Sequence, residues 1–573
     1  MDSLIPFRYP APARITPLPK ATVKKPLPEP QSASLLPATW THRHSMLALG
    51  GVTLACLLPF TAKAFNIDDP LFLWTAQQIT HHPADPYGFD LVWYTIQMHM
   101  WAVTKNPPLA SYYAALIGSF AGFSERAMHL AFLVPALALI AGTYQLARHF
   151  TSHPIVAAAA TLFAPAVMIS ATGVMCDTMM LALWVWAAFF WIQGLEPHRP
   201  LYLTSSSLLL AAAALTKYFG ASLIPLLIVY SIVRLRRLEK SLLYLLIPTA
   251  VLIAYQWWTQ NLYGQGLLSD AVSYASSEGK DWSGVVGQTL IGLSFLGGCT
   301  LPALVFAPII WSRKWLAALF SAAALLALFV YLEWITLGAP IPREYWGPVS
   351  LQLAFFLAAG IAVFALTVSD LRRHRDADSI FLALWIVGTF IFSTFINWTV
   401  NARSILPLIP AAAILIARRL EHAHLTRARV ALPLALCALL SLWITRGDTS
   451  LANSARTAAG MIHDKTANLP VVWFSGHWGF QYYMQQFGAR PYDERSREAQ
   501  PGETMINPEN NSNLFDFPPD IINQVLELPL PCCVITMRNR RGAGFYASFN
   551  GPLPYSFGPV PPERYSFVKL PNQ

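Results

Sequence analysis

What most constrains this chain is a succession of apolar stretches, many close to 20 residues long, spaced along most of its 573 residues. A helix that crosses the hydrocarbon core of a bilayer needs about 20 mostly apolar residues. Candidate segments lie near 45–63, 107–121, 127–147, 154–172, 178–194, 201–216, 218–233, 242–258, 285–311, 315–336, 348–369, 379–396, 404–417 and 430–445. Backbone in lipid must satisfy its own hydrogen bonds, so such a pattern dictates a bundle of helices. The expected class is an all-α polytopic membrane protein. Composition agrees, since only 12% of residues are charged and the mean hydropathy is +0.43, whereas soluble domains carry about 25% charged residues.

The net charge of +9 is not a nucleic-acid footprint. The basic residues cluster in short loops between apolar runs, which is the positive-inside pattern. Residues 1–44 are rich in proline and carry Arg8, Arg14, Lys20, Lys24, Lys25 and Arg43, which reads as a disordered cytoplasmic tail without a cleavable signal. Three later basic loops, Arg234 to Lys240, Arg372 to Arg375 and Arg418 to Arg429, belong in the cytoplasm by the same rule. That assignment puts residues 446–573 outside. Counting forward from a cytoplasmic tail gives the opposite parity unless one early segment fails to cross. Segment 107–121 is the weakest, being short, opened by Pro107-Pro108 and interrupted by Gly118. About thirteen transmembrane helices are therefore expected.

Two long stretches break the lipid pattern. Residues 64–106 form a first external loop dense in acids, aromatics and prolines, between crossings of a membrane core that spans 45–445. Residues 446–573 lose the apolar periodicity and show short strand-like runs at Val471–Phe474, Cys533–Thr536 and Tyr565–Val568. Turn-rich segments separate them, so a small α/β extracytoplasmic domain is expected. The six cysteines are scattered without a CxxC spacing, which supports neither a zinc site nor a disulfide framework.

Chemistry is expected where charge meets apolar sequence. Asn66-Ile-Asp-Asp-Pro70 follows the first span, and two adjacent carboxylates there can serve as a general base or help hold a cation. A solvated pair marking a helix end is the plainer alternative. Asp177 and Lys217 fall within or at the rim of apolar helices, where an ionisable residue costs about 2.5–3.5 kcal/mol on insertion scales and usually faces a cavity or a partner. Arg403 lies near a span end, where it can also snorkel to the interface. His81, His82 and His477 are isolated histidines, read as solvated or packed, and no metal ligand is assigned. Asp68, Asp69 and Asp177 could hold a divalent ion through oxygen, but no specific motif supports a cofactor. Trp74, Trp93 and Trp101 fit an interfacial belt first and sugar stacking second.

The order of these features resembles a known family. A first span, an acidic pair at Asp68-Asp69, an aromatic loop, Lys105-Asn-Pro-Pro-Leu109 and a small-residue helix is similar to the C-type membrane glycosyltransferases. It is most similar to the bacterial branch related to protein O-mannosyltransferases and aminoarabinose transferases. Met175-Cys-Asp-Thr178, Thr216-Lys-Tyr-Phe-Gly220 and Asn401-Ala-Arg-Ser-Ile-Leu-Pro407 resemble later positions of that family, over roughly residues 45–420. The aminoarabinose transferases carry an arginine after the acidic pair where this chain has Leu71 or a near neighbour, and histidine or lysine is common where Asn106 stands before Pro107-Pro108.

The resemblance implies an enzyme of the bacterial inner membrane that takes a sugar from a polyprenyl-phosphate donor on the extracytoplasmic face. The acceptor would be a lipid, glycan or protein. Asp68 would be the catalytic base, aided by Asp69 and Asp177, with inversion at the sugar. Lys105, Lys217 and Arg403 would hold the donor phosphate, and Asn106, Pro107 and Pro108 form the loop motif. The rival expectation is a transporter or flippase of a lipid-linked or small polar substrate, in which buried charges would line a path.

Overall fold

The structure is a computed structural model that describes residues 40–277, 284–338, 341–423, 425–496 and 498–570. The expected tail falls mostly on 1–39, outside the described residues. Among the described residues, nine helices are long and apolar enough to cross a membrane. They include His42–Phe60, Glu125–Phe150, Cys176–Leu195 and Arg427–Thr466. Their outward faces carry large apolar side chains such as Leu47, Trp257, Leu328 and Leu439, which suits contact with lipid.

Other apolar segments are shorter or broken for identifiable reasons. Pro165 separates Pro154–Leu162 from Pro165–Ser170, and Pro407 and Pro410 fall within the run Ala402–Ile405, Leu406–Leu408 and Ile409–Leu420. A proline removes a backbone donor and clashes with the preceding turn, so a break there is expected. Leu109–Ala121 has 13 residues and therefore a length of about 20 Å at 1.5 Å per residue. It packs along Asp69–His81. Between them the first loop holds an antiparallel hairpin, Asp90–Trp93 with Ile96–His99.

Small residues let the bundle close. A Cβ on Gly297 would lie 1.9 Å from the Phe356 carbonyl oxygen, and one on Gly360 would lie 2.3 Å from that of Leu293. Helices Gly284–Cys299 and Trp346–His374 thus touch backbone to backbone, as small residues permit in lipid. Elsewhere Trp184 and Trp385 fill the interior with ring centroids 4.2 Å apart.

Polar contacts sort the helix ends into two groups. Thr151 bonds Glu421 at 2.6 Å, His149 meets Asp378, Arg234 meets Glu196, and Arg418 meets Asp370. In the second group Lys63 meets Asp448, Asp68 meets Arg403, and Lys105 meets Asp270.

The last helix, Arg427–Thr466, has 40 residues, or about 60 Å at the usual rise. It runs without a break through position 446 into the C-terminal domain. There a five-stranded sheet has the order Arg490–Pro491, Val472–Phe474, Thr504–Pro508, Glu563–Lys569, Ile522–Leu528. Val472–Phe474 pairs in parallel with both of its neighbours, and the remaining pairs are antiparallel. Helix Trp478–Gln486 follows the first strand, which gives the mixed α/β character expected from sequence. The run at Cys533–Thr536 is not in this sheet, because Val534–Ile535 pairs with Ser556–Phe557.

Candidate functional site

The first loop turns sharply before its acids. Ile67 has φ of +49°, a left-handed conformation that is rare for a β-branched residue. Asp68 then lies at the start of helix Asp69–His81. The two acids have different surroundings. Asp69 is fully buried, and its carboxylate accepts from the Asn66 amide at 2.8 Å and the Val174 amide at 2.7 Å. Burial pushes its pKa up to about 6, against the pull of Lys63 and of the two amides. Asp69 therefore ties the first loop to segment 171–175, which leads directly to Asp177. It does not line the larger cavity beside the loop.

Asp68 does. Its Oδ2 accepts from Arg403 Nη1 at 2.7 Å. Arg403 also approaches Asp177, with Nε 3.3 Å from Oδ2, and its Nη1 is 3.0 Å from the Met175 sulfur. Lys217 donates to the other oxygen of Asp177 at 2.6 Å. Each charge is delivered by an irregularity in a helix. Asp177 lies in the first turn of Cys176–Leu195, while Lys217 has extended backbone between Pro200–Thr216 and Tyr218–Ser222. Arg403 is held in the short helix Ala402–Ile405, whose start is capped by Asn401. Two acids and two bases thus form one row, and mutual pairing is what makes such burial tolerable. Lys217 is ion-paired within the bundle and lines a cavity.

Two cavities meet at this row. The first, about 530 Å³, is lined by Asp68, Arg403, Lys105 and Asn106 and by residues of the C-terminal domain. The second, about 400 Å³, is more apolar and runs past Lys217, Tyr218, Leu268 and Phe392. Lys105, Asn106, Trp398, Asn401 and Arg403 line both. Lys105 is apart from the row, since it donates to Asp270 at 2.6 Å and lies 5.3 Å from the Tyr274 ring centroid. Of the loop motif, Asn106 and Pro107 line the first cavity, and Pro108 starts helix Leu109–Ala121. Among the described residues no three His, Cys, Asp or Glu side chains gather as a metal site.

Sequence reasoning missed the domain's share of the first cavity. His477, Asn513, Tyr546 and Asn550 all line it. His477 stacks on Trp93 with centroids 4.6 Å apart, and its Nε2 is 3.2 Å from Asn513 Oδ1. Burial lowers its pKa to about 4, so the ring is neutral near pH 7. Also missed was the buried pair of Lys63 and Asp448 at 2.6 Å. The signal was present, because both are charges close to apolar helix ends.

Residues 105–258 match the family model described as dolichyl-phosphate-mannose-protein mannosyltransferase. By that segment the chain is similar to the C-type membrane glycosyltransferases. The matched stretch includes Lys105, Asp177 and Lys217, while Asp68 and Arg403 lie outside it. Two crystal structures of ArnT from Cupriavidus metallidurans are similar to it, each at 14% identity. The one bound to undecaprenyl phosphate covers 81% of this chain and 93% of its own, with a TM-score of 0.40. The apo structure covers 80% and 91%, with a TM-score of 0.39. No curated protein sequence matches the chain.

Proposed function

We propose that this glycosyltransferase moves a sugar from a polyprenyl-phosphate donor to a hydroxyl or amine acceptor on the extracytoplasmic face, with Asp68 as the general base. One observation carries the reading: the row Asp68, Arg403, Asp177, Lys217 stands where two cavities meet, the second more apolar than the first. A donor of this class has a charged phosphate between a sugar and a hydrocarbon chain, and the apolar cavity suits the chain. The family description, which names a polyprenyl-phosphate sugar, supports the same donor class.

In the proposed step the acceptor attacks the anomeric carbon as Asp68 takes its proton. The bond from that carbon to the phosphate oxygen breaks, and polyprenyl phosphate leaves with the electron pair. The row contains two carboxylates and two cations, so its net charge is zero before the step. Protonation of Asp68 makes it +1 as the leaving phosphate gains negative charge. Preorganised charge of this kind favours the transition state over the ground state.

The contacts that sort the helix ends support an orientation. Counting the nine long helices, then 154–170, Pro200–Thr216, 284–310 and 402–420, and leaving out Leu109–Ala121 gives thirteen crossings. With residues 1–41 in the cytoplasm of a bacterial inner membrane, this count assigns Asp68, Asp177, Lys217 and Arg403 to the external ends. The three basic loops then face the cytoplasm.

The test is transfer in vitro by the purified full-length protein, using a polyprenyl-phosphate sugar labelled in the sugar. Release of label to an acceptor or to water, with free polyprenyl phosphate formed in equal amount, is expected. Movement of intact donor across a vesicle membrane without cleavage would instead identify a flippase.

A further inference from the structure

We propose that the end of the bundle away from the Asp68 row carries a site for the phosphate headgroup of an anionic membrane lipid, held by Arg373 and Arg419. Arg403 and Arg418 lie at opposite ends of the run 402–420, so this site is separate from the one described above. It goes beyond the transferase reading and does not depend on it.

The sequence concentrates positive charge at two helix ends. Arg372-Arg-His-Arg375 closes helix Trp346–His374, and Arg418-Arg419 closes Ile409–Leu420. These helices pack together, so Arg373, His374, Arg418, Arg419 and His422 all line one shallow cleft. The rings of His374 and His422 lie with centroids 6.4 Å apart. Among the described residues one carboxylate, Asp370, lines the cleft with them. Its two oxygens are taken, one by Arg418 at 3.1 Å and the other by His374 at 3.1 Å. Glu421 is engaged elsewhere, accepting from the Thr151 hydroxyl at 2.6 Å and from the Ser152 amide. Arg373 and Arg419 are thus left without a carboxylate partner among the described residues. Burial lowers the pKa of His422, and the charge of Arg373 lowers it further. Like charges gathered at such a spot repel. An anion between the two guanidiniums would replace that repulsion with charge-assisted hydrogen bonds, and the arginine fork matches the geometry of phosphate.

Position and size select a lipid as the source of the phosphate. Arg419 lies over the Trp311 ring, 5.5 Å from its centroid. Trp315, one turn further along, is 68% exposed. Tryptophans at the ends of spanning helices favour the headgroup layer, so the Arg419 side of the cleft opens at the depth of lipid phosphates. The enclosed space is about 10 Å³, room for about one water-sized group. It admits a phosphate oxygen and excludes a nucleotide. Basic pockets between spanning helices at this level suit anionic headgroups.

The experiment titrates the purified full-length protein, in a non-ionic detergent, with dioctanoyl phosphatidylglycerol, dioctanoyl phosphatidylcholine and inorganic phosphate. Binding is read from native mass spectra and from the shift in unfolding temperature. Phosphatidylglycerol is expected to bind about tenfold more tightly than phosphatidylcholine. Joint replacement Arg373→Gln and Arg419→Gln should bring it down to the phosphatidylcholine level. Joint replacement Arg372→Gln and Arg375→Gln removes the same charge from exposed arginines outside the cleft, and should keep the preference. An equal loss in both pairs would show diffuse surface charge and overturn the site, as would a wild type with no preference. Displacement of phosphatidylglycerol by an equal concentration of inorganic phosphate would make a soluble anion the occupant and overturn the lipid. If the Arg373 and Arg419 pair does not fold, Arg373→Gln alone removes an exposed side chain and should weaken phosphatidylglycerol about threefold. Unchanged affinity in that variant also overturns the proposal.

Discussion

Arg403 donates to Asp68 at 2.7 Å across 335 positions of sequence, joining the first loop to a late break in the helical bundle. The guanidinium is planar and holds Asp177 from its Nε while Nη1 holds Asp68. It therefore fixes the distance between the two acids.

Replacing Asp68 with Asn retains shape and removes basicity. A positioned general base contributes roughly 10²–10⁴-fold to rate, so turnover of Asp68→Asn should fall by that much while donor binding persists. Asp69→Asn should act differently. Its carboxylate receives two backbone amides, and an amide side chain offers one oxygen where two are needed. Loss of thermal stability is expected there, with a smaller effect on transfer. Near-native turnover in Asp68→Asn would show that the wrong carboxylate has been chosen.

Arg403→Lys keeps the charge but not the fork. One ammonium on a flexible stem cannot reproduce the two-acid geometry, and exchange at such positions is not conservative. Turnover should drop at least tenfold with the protein still folded, as judged by size-exclusion profile and unfolding temperature. Transfer at the wild-type rate would mean that Arg403 serves only as a movable charge.

Much of this was legible in the sequence for one physical reason. Charge is expensive in lipid, so Asp177, Lys217 and Arg403 stood out against their apolar surroundings. Their convergence with Asp68 was not legible, because nothing local records a contact between residues 335 positions apart. The expected domain boundary at 446 came from the end of the apolar run, whereas the helix continues to Thr466. Loss of apolar periodicity marks where lipid contact ends, and a helix can continue beyond that point on packing alone.

The orientation makes an independent expectation. Tyr94 in the first loop and Arg495 in the C-terminal domain are exposed. Tyr94→Cys and Arg495→Cys should both react with a membrane-impermeant thiol reagent in intact cells. Arg373→Cys, in a basic loop, should react only after lysis. If only one of the first two is labelled, the external site cannot be built from both segments.

The Lys63–Asp448 pair ties the end of the first helix to the last. Both side chains are almost wholly buried, and Asp448 also accepts from Thr536 at 2.7 Å and Tyr546 at 3.0 Å. Removing one member of a buried ion pair costs about 3–5 kcal/mol, because the other charge is left without a partner. Lys63→Met should therefore lower the unfolding temperature sharply. Combining it with Asp448→Asn should recover part of the loss, since the orphaned charge is gone. Additive losses in thermal unfolding would contradict coupling between the two.

His477 links acidity to stability. Its folded pKa is depressed from 6.5 to about 4 by burial. As pH falls below 6.5, an unfolded chain takes up a proton at this ring and the folded chain does not. Stability is therefore lost between pH 6.5 and 4, and the loss levels off below 4. Each pKa unit corresponds to about 1.4 kcal/mol, so the full loss is about 3 kcal/mol by linkage. His477→Gln removes the titrating group while keeping an amide that can reach Asn513. The variant should start less stable at pH 7.5, because the stacking on Trp93 is lost, but its unfolding free energy should decline less steeply toward pH 5. Parallel pH profiles for wild type and variant would show that the acid sensitivity arises elsewhere.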